Sequence, residues 1–364
     1  MVHGGEIYGG RKIEYDFSVS INPLGMPAEA ESALRDSISR VGQYPDPDCG
    51  SLRSALEEFA GVPKAQILCG NGASELIEAA VRALRPRQIL LTAPSFSGYR
   101  HAAEGAGAGI AYHVLRREEG FMLTERYLED LAQKPGMAIL CTPANPVGNL
   151  IGPDLLMRIF ERCERQGTWL LVDECFLGFV GDEAKRTMRA RLARQKASRL
   201  LVLDAFTKRF AMPGLRLGYL MGPDAAVMEK IKKQQPEWSV SVPAQAAGRA
   251  ALRAAGTETA GKEDSEGYMA RARALIFRER RRMVRALEGL GCKVFPGEAN
   301  FVFFSSETDL QEQLMRRGIL IRSCDNYPGL EKGDYRIAVL RSEQNAVLLH
   351  ALEEILREPS QRLP

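Results

Sequence analysis

From about residue 50 to 230 the chain alternates short apolar runs with longer amphipathic ones. The short runs are Gln66–Cys69, Gln88–Thr92, Ile110–Val114, Met137–Cys141, Trp169–Val172, Arg199–Leu203 and Arg216–Met221. Most are apolar without strict alternation, which predicts strands covered on both faces. Helical spacing predicts helices between them at Gly50–Ala60, Ser74–Leu84, Gly98–Gly105, Leu123–Ala132, Pro153–Arg165 and Asp224–Gln234. That order predicts an α/β fold around a doubly wound, mainly parallel, seven-stranded sheet.

The pattern changes after Pro243. An Ala-rich helix over Ala244–Ala255 leads through a polar stretch into a long helix ending near Gly289. Strand-like segments follow at Lys293–Phe295, Asn300–Phe304, Leu320–Ser323 and Tyr335–Leu340, with helices at Thr308–Arg316 and Ser342–Arg357. This predicts a smaller α+β domain over residues 244–364 beside a large domain over 31–243. Residues 1–30 carry only a short strand at Ile13–Val19 and a Pro-Leu-Gly turn, so they are expected to pack as an arm on the smaller domain.

Composition narrows the function classes. The 364 residues are 45% apolar and 26% charged with a net charge of +3, ordinary for a soluble globular protein and no basis for nucleic-acid or membrane binding. The run Arg278-Glu279-Arg280-Arg281-Arg282 keeps helical spacing with Ile276, Met283, Val284 and Leu287, so it reads as a solvated helix face. Seven cysteines without a Cys-x-x-Cys pair or His-rich partner argue against a zinc site and a disulfide framework. With no signal-peptide pattern at Met1–Glu6 and no apolar run near eighteen residues, a cytoplasmic protein is expected.

The chemistry is concentrated in Asp204-Ala205-Phe206-Thr207-Lys208-Arg209-Phe210-Ala211-Met212-Pro213-Gly214-Leu215-Arg216-Leu217-Gly218-Tyr219. A lysine followed eight residues later by an arginine, across a Pro-Gly turn, suits an enzyme holding pyridoxal phosphate. The aldehyde needs an amine as covalent anchor, and the phosphate suits a rigid cation with two donors. Gly70-Asn71-Gly72-Ala73-Ser74-Glu75 follows a strand and opens a helix, which makes an anion site or an ordinary glycine turn with Ser74 as N-cap. Asp173 closes a strand and could face a protonated pyridine nitrogen or cap the next helix. Asn145, in Thr142-Pro143-Ala144-Asn145-Pro146-Val147-Gly148, could donate to the ring oxygen or belong to a plain turn. Phe96, after Pro94-Ser95, could stack on a ring or sit in the core. Five such signals fall at successive strand ends, where ligands bind in sheets of this kind.

On these motifs the chain resembles the fold-type I pyridoxal-phosphate enzymes of the aspartate aminotransferase superfamily, over nearly its full length. Within it the chain resembles histidinol-phosphate aminotransferases and, more closely, threonine-phosphate decarboxylases. His3-Gly4-Gly5, the Asp16-Phe17-Ser18 segment ending in Asn22-Pro23-Leu24-Gly25, Asp173-Glu174-Cys175-Phe176 and Thr207-Lys208 with Pro213-Gly214-Leu215-Arg216 favour the decarboxylases. The resemblance implies that Lys208 is the covalent anchor, that Arg216, Ala73, Ser74 and Thr207 serve the cofactor phosphate, and that Phe96 stacks on the ring. Asn145 and Asp173 would contact its oxygen and nitrogen. Tyr44 would reach the neighbouring subunit's cofactor phosphate, implying a homodimer with shared sites. Arg336 would grip the substrate α-carboxylate; Arg322, with His3 and Gly4, would take a distal phosphate. The implied activity is decarboxylation of L-threonine O-3-phosphate to (R)-1-amino-2-propanol phosphate for cobalamin biosynthesis, with L-serine O-phosphate decarboxylation or amino-acid transamination as alternatives.

Four positions depart from the family pattern. Ala205 stands where a serine or threonine usually bonds the phosphate, leaving Thr207 to compensate. Ser20 replaces a substrate-contacting asparagine, Val147 a threonine, and Gly178 a frequent acidic residue.

Overall fold

The apolar runs of the first two-thirds pair edge to edge into one sheet. The structure, a computed structural model, describes residues 4–5, 7–8, 12–194, 197–255 and 267–357. A two-residue strand, β1 (Tyr15–Asp16), precedes the large sheet. The sheet strands are β2 (Ile67–Gly70), β3 (Gln88–Ala93), β4 (Gly109–Val114), β5 (Met137–Cys141), β6 (Trp169–Asp173), β7 (Leu200–Ala205) and β8 (Gly218–Met221). They lie in the order β2-β8-β7-β6-β5-β3-β4. β8 runs antiparallel to both its neighbours, and the other pairings are parallel.

Each central strand sends alternate residues into separate cores, which is why the runs are apolar without alternation. Leu170, Val172, Leu200 and Val202 join the core under the helices Gly50–Ala60, Pro153–Gln166 and Val242–Ala255. Leu171, Leu201 and Leu203 join the opposite core under Ala73–Leu84 and Ala225–Lys232.

A second sheet is built from β9 (Lys293–Val294), β10 (Phe301–Ser305), β12 (Arg322–Ser323) and β13 (Asp334–Ala338), in the order β12-β13-β10-β9 and antiparallel throughout. Its core holds Val302, Phe304 and Ile337 with Leu348 and Leu352 of the helix Ser342–Arg357. Between β10 and β12, β11 (Ile319–Leu320) pairs in parallel with β1 instead. Phe17 follows β1 into the same core and donates its N–H to Leu320 O at 2.7 Å.

Several expected elements change at their ends. The segment Leu320–Ser323 is two strands, because the chain leaves β1 at Ile321 and joins β13. The helix expected over Leu123–Ala132 is confined to Tyr127–Leu131. Arg216 lies outside β8: it follows the turn Pro213–Leu215 in the left-handed region at φ 52°, and the strand starts at Gly218. The helix Ala28–Ser37, packed on Val242–Ala255, has no clear signal in the sequence, since it buries only Ala30 and Ser37. The arginine run is not a uniformly solvated face. Glu279 is buried and accepts from Ser342 Oγ at 2.8 Å and Asn345 Nδ2 at 3.2 Å, tying the long helix Tyr268–Gly289 to the last one.

Candidate active site

Where the large sheet's strand ends face the second sheet, the chain encloses a cavity of about 940 Å³. Ala73, Ser74, Phe96, Asn145, Asp173, Thr207, Lys208 and Arg216 all line it, as do Gly4 and Arg336. Residues far apart in sequence meet here because each follows a strand of one sheet or is carried in from the second.

Lys208 sits on the single turn Phe206–Arg209, directly after β7. Asn22 holds this turn from outside: its N–H donates to Lys208 O at 3.0 Å and its Nδ2 to Arg209 O at 2.9 Å. The Lys208 ammonium stands 5.8 Å from the Phe176 ring centroid. Its pKa is lowered to about 8, first by burial, then by the positive charges of Arg336 and Arg216. A fraction of the amine is therefore neutral, and so nucleophilic, close to neutral pH.

Asp173 closes β6 and is buried with both oxygens engaged. Oδ2 accepts from Tyr99 OH at 2.6 Å, and Oδ1 from the Cys175 N–H at 3.0 Å. Burial beside this carboxylate pushes the Tyr99 hydroxyl well above its ordinary range, so it stays protonated and donating. The sequence reading missed Tyr99, which lies in the first turn of the helix Ser97–Gly105, just after its N-cap Phe96. The two rings meet edge to face at 5.5 Å, and a Cβ on Gly98 would overlap Phe96.

The anion cradle depends on two glycines. Gly72 has φ +85°, and a Cβ there would lie 2.6 Å from Arg216 Nη2. One on Gly218 would lie 2.8 Å from the Ala73 nitrogen. Arg216 is therefore laid against the start of the helix Ala73–Leu84, whose first N–H groups and positive end suit an anion.

Behind Lys208 lies a buried network that the sequence reading did not anticipate. Arg209 donates to both Glu183 oxygens at 2.6 and 3.0 Å and to Asp204 Oδ2 at 3.1 Å; Tyr219 OH donates to the same Asp204 oxygen at 2.9 Å. This explains one departure. A Cβ on Gly178 would overlap the Arg209 guanidinium, and Glu183 supplies a carboxylate five residues later. Ala205 and Thr207 both line the cavity, whereas Val147 is a core residue.

Arg336, on β13, donates to Asn145 Oδ1 and, at 2.8 Å, to Ser18 O. With Oδ1 engaged, Asn145 has its Nδ2 to offer a ligand. Arg322 stands opposite Arg336 in the register of β12 and β13 but does not line this cavity. It is 2% exposed, donates to Asn326 Oδ1 at 2.8 Å, and packs against the Tyr327 ring at 5.2 Å. It faces a small adjoining pocket that shares Phe96 and Tyr327 with the main one.

Two further expected site residues lie away from the cavity. Ser20 is buried, its hydroxyl has no partner among the described residues, and it does not line the space. Tyr44 is 78% exposed, stacks on Trp238 at 4.6 Å, and lines a separate pocket with Arg40, Gln245 and Arg249. His3 lies outside the described residues. Among the described residues no His, Cys, Asp and Glu cluster could hold a metal, and no helix is long and apolar enough to cross a membrane.

The donor set fits pyridoxal phosphate: an amine for the aldehyde, a carboxylate for the pyridine nitrogen, and a cradle that added Cβ atoms would fill. A parallel sheet with one antiparallel strand, and a lysine on the turn before that strand, define a fold-type I pyridoxal-phosphate enzyme. The family model described as aminotransferase class I and II matches residues 13–352, and the chain belongs to that family. It is 38% identical over 345 residues to a threonine-phosphate decarboxylase of Salmonella typhimurium, covering 94% of this chain and 91% of the relative. It is 30% identical to a histidinol-phosphate aminotransferase of Caldanaerobacter subterraneus, covering 98% and 97%. The crystal structure of the histidinol-phosphate aminotransferase from Clostridium acetobutylicum superposes with a TM-score of 0.84 at 28% identity, covering 94% and 99%.

Proposed function

We propose that this chain is a pyridoxal-phosphate-dependent decarboxylase of an O-phosphorylated amino acid. Its first substrate would be L-threonine O-3-phosphate, giving (R)-1-amino-2-propanol phosphate for cobamide biosynthesis. The observation that carries this reading is the register of Arg322 against Arg336, two buried arginines on neighbouring strands, Arg336 lining the main cavity and Arg322 the small pocket that adjoins it. Two fixed cations suit a substrate with two anions, a carboxylate at Arg336 and a phosphate at Arg322. The 38% identity to a threonine-phosphate decarboxylase supports it.

When bound, pyridoxal phosphate supplies an electron sink for the bond pair released at the substrate Cα. Lys208 Nζ would hold the aldehyde of the cofactor. Arg216 and Thr207, with the N–H groups of Ala73 and Ser74, hold the phosphate. Phe96 would pack on the ring, Asp173 would hold the proton of its nitrogen, and Asn145 would donate from Nδ2. Arg336 would hold the substrate carboxylate and so set which bond to Cα is presented for cleavage. Loss of carbon dioxide would leave an electron pair at Cα, and Lys208, protonated at Nζ, would return a proton there. In this reading residues 31–243 hold the cofactor, while 244–364 and the arm 1–30 hold the substrate's anions.

The active unit is read as a cytoplasmic homodimer. Tyr44 and Trp238 are exposed and remote from their own cavity, which suits a tyrosine serving a second copy's phosphate.

The test is incubation with O-phospho-L-threonine, O-phospho-L-serine, and histidinol phosphate plus 2-oxoglutarate, with carbon dioxide and new glutamate measured separately. Carbon dioxide from phosphothreonine is the expected result. Glutamate without carbon dioxide would make the protein an aminotransferase, the reading that the 30% identical relative supports.

A further inference from the structure

Two parts of the substrate end meet on one residue, Ser18. This serine is fully buried, and its hydroxyl donates to Asp16 Oδ1 at 2.6 Å. A hydroxyl has a single proton, so toward its other neighbour Ser18 Oγ can only accept. That neighbour is the Gly5 N–H of the N-terminal arm, 2.7 Å away. The carbonyl of the same residue accepts from Arg336 Nη2 at 2.8 Å. Gly4 packs so closely on that carbonyl that a Cβ would collide with its oxygen. Gly5 lies at φ +80°, a conformation that suits glycine.

The flanking backbone makes Ser18 a rigid joint. The preceding residue, Phe17, donates its N–H to Leu320 O at 2.7 Å and accepts the Ala338 N–H at 2.8 Å, at the end of the strand that carries Arg336. The Ser18 N–H also donates to Asp16 Oδ1, at 2.8 Å. Displacing Ser18 therefore disturbs the seat of the arm and the seat of the arginine together.

We propose that Ser18 is a positioning residue that couples docking of the arm's leading residues Gly4 and Gly5, through its hydroxyl, to the orientation of Arg336, through its carbonyl. Seating of the arm on the cavity and gripping of the substrate carboxylate would then favour one another, and by linkage the coupling runs equally in both directions. This rests on the reading of Arg336 as the carboxylate-binding arginine.

The test is a double-mutant cycle in the full-length holoenzyme. Ser18→Ala removes the acceptor, and replacing residue 5 by glycolic acid through peptide ligation turns its N–H into an ester oxygen, which removes the donor and leaves φ free. Each single variant should raise KM for O-phospho-L-threonine about three- to tenfold, the loss of one hydrogen bond, with kcat within twofold. The double variant should add nothing further. Amide exchange of the arm, measured without substrate, should speed up in Ser18→Ala. It should also speed up in Arg336→Lys, since among the described residues Arg336 meets the arm through the Ser18 carbonyl. Additive KM effects, a matching fall in kcat, or wild-type arm exchange in Arg336→Lys would overturn the coupling. Failure of the wild-type enzyme to release carbon dioxide would instead sink the decarboxylase reading. The exchange measurement decides the coupling in either case, and the cycle can then be run on the amino acid the enzyme does accept.

Discussion

At the cradle end of the cavity every functional side chain stands at the end of a large-sheet strand or on the turn beside it. Ala73 and Ser74 follow β2, Phe96 follows β3, Asn145 follows β5, Asp173 closes β6, and Lys208 follows β7. The other end has no such unity. Arg336 and Arg322 come from the second sheet, Ser18 from the segment after β1, and Gly4 and Gly5 from the arm. One end is fixed by backbone geometry that each strand delivers separately; the other exists only when three distant segments have been assembled. Changes at the cradle end should therefore damage every reaction alike, whereas changes at the far end should discriminate between substrates.

The largest expected effect is at Lys208. Lys208→Ala should abolish the visible absorbance and the borohydride-fixed label on the protein, and a label surviving on another lysine would overturn the site. In the wild type, cofactor attachment should accelerate as pH rises, with a midpoint near 8. Burial and the neighbouring arginines lower the amine's pKa to about 8, and only the neutral amine attacks. A midpoint above 10 would mean that Lys208 does not feel this environment.

Next in size is Glu183, on the cradle side but touching no ligand. Glu183→Ala leaves Arg209 and Arg189 buried without a carboxylate that each now meets, at 2.6 and 3.5 Å. Stability in urea should fall by about 3–5 kcal/mol, the usual cost of breaking a buried ion pair from one side. A loss below 1 kcal/mol would mean that the network contributes little to the Lys208 turn.

The comparison is sharpest at the two arginines. Arg336→Ala should lose every amino-acid substrate. Arg322→Ala should weaken phosphorylated substrates by about 1.5–3 kcal/mol and leave an unphosphorylated analogue such as threonine nearly unchanged. Equal losses for both would show that the far end reads no phosphate, and the phospho-amino-acid reading would go. His3→Ala should show the same selectivity at smaller size, about that of one neutral hydrogen bond.

The smallest effect is expected at Tyr44. Tyr44→Phe should loosen cofactor retention by about 1 kcal/mol, one hydrogen bond, and only in the assembled dimer. Unchanged retention on dialysis of the dimer would remove Tyr44 from the shared site.

The sequence by itself determined the large sheet and the cradle end, because both rest on local rules. A strand buried on both faces is written as an apolar run, a phosphate turn as glycines before a helix, and Lys208 and Arg216 are tied by a short turn. Tertiary structure decided the rest. The helix Ala28–Ser37 is held by packing on Val242–Ala255 and not by a strong apolar face of its own. Gly178 looked like a lost acid until Arg209 and Glu183 were seen to fill its place. That Ser20 stays out of the cavity lining, that Tyr99 holds Asp173, and that Ser18 meets both Gly5 and Arg336 depend on contacts between segments up to 318 residues apart. No local pattern encodes such contacts, because they form only once both sheets and the arm are in place.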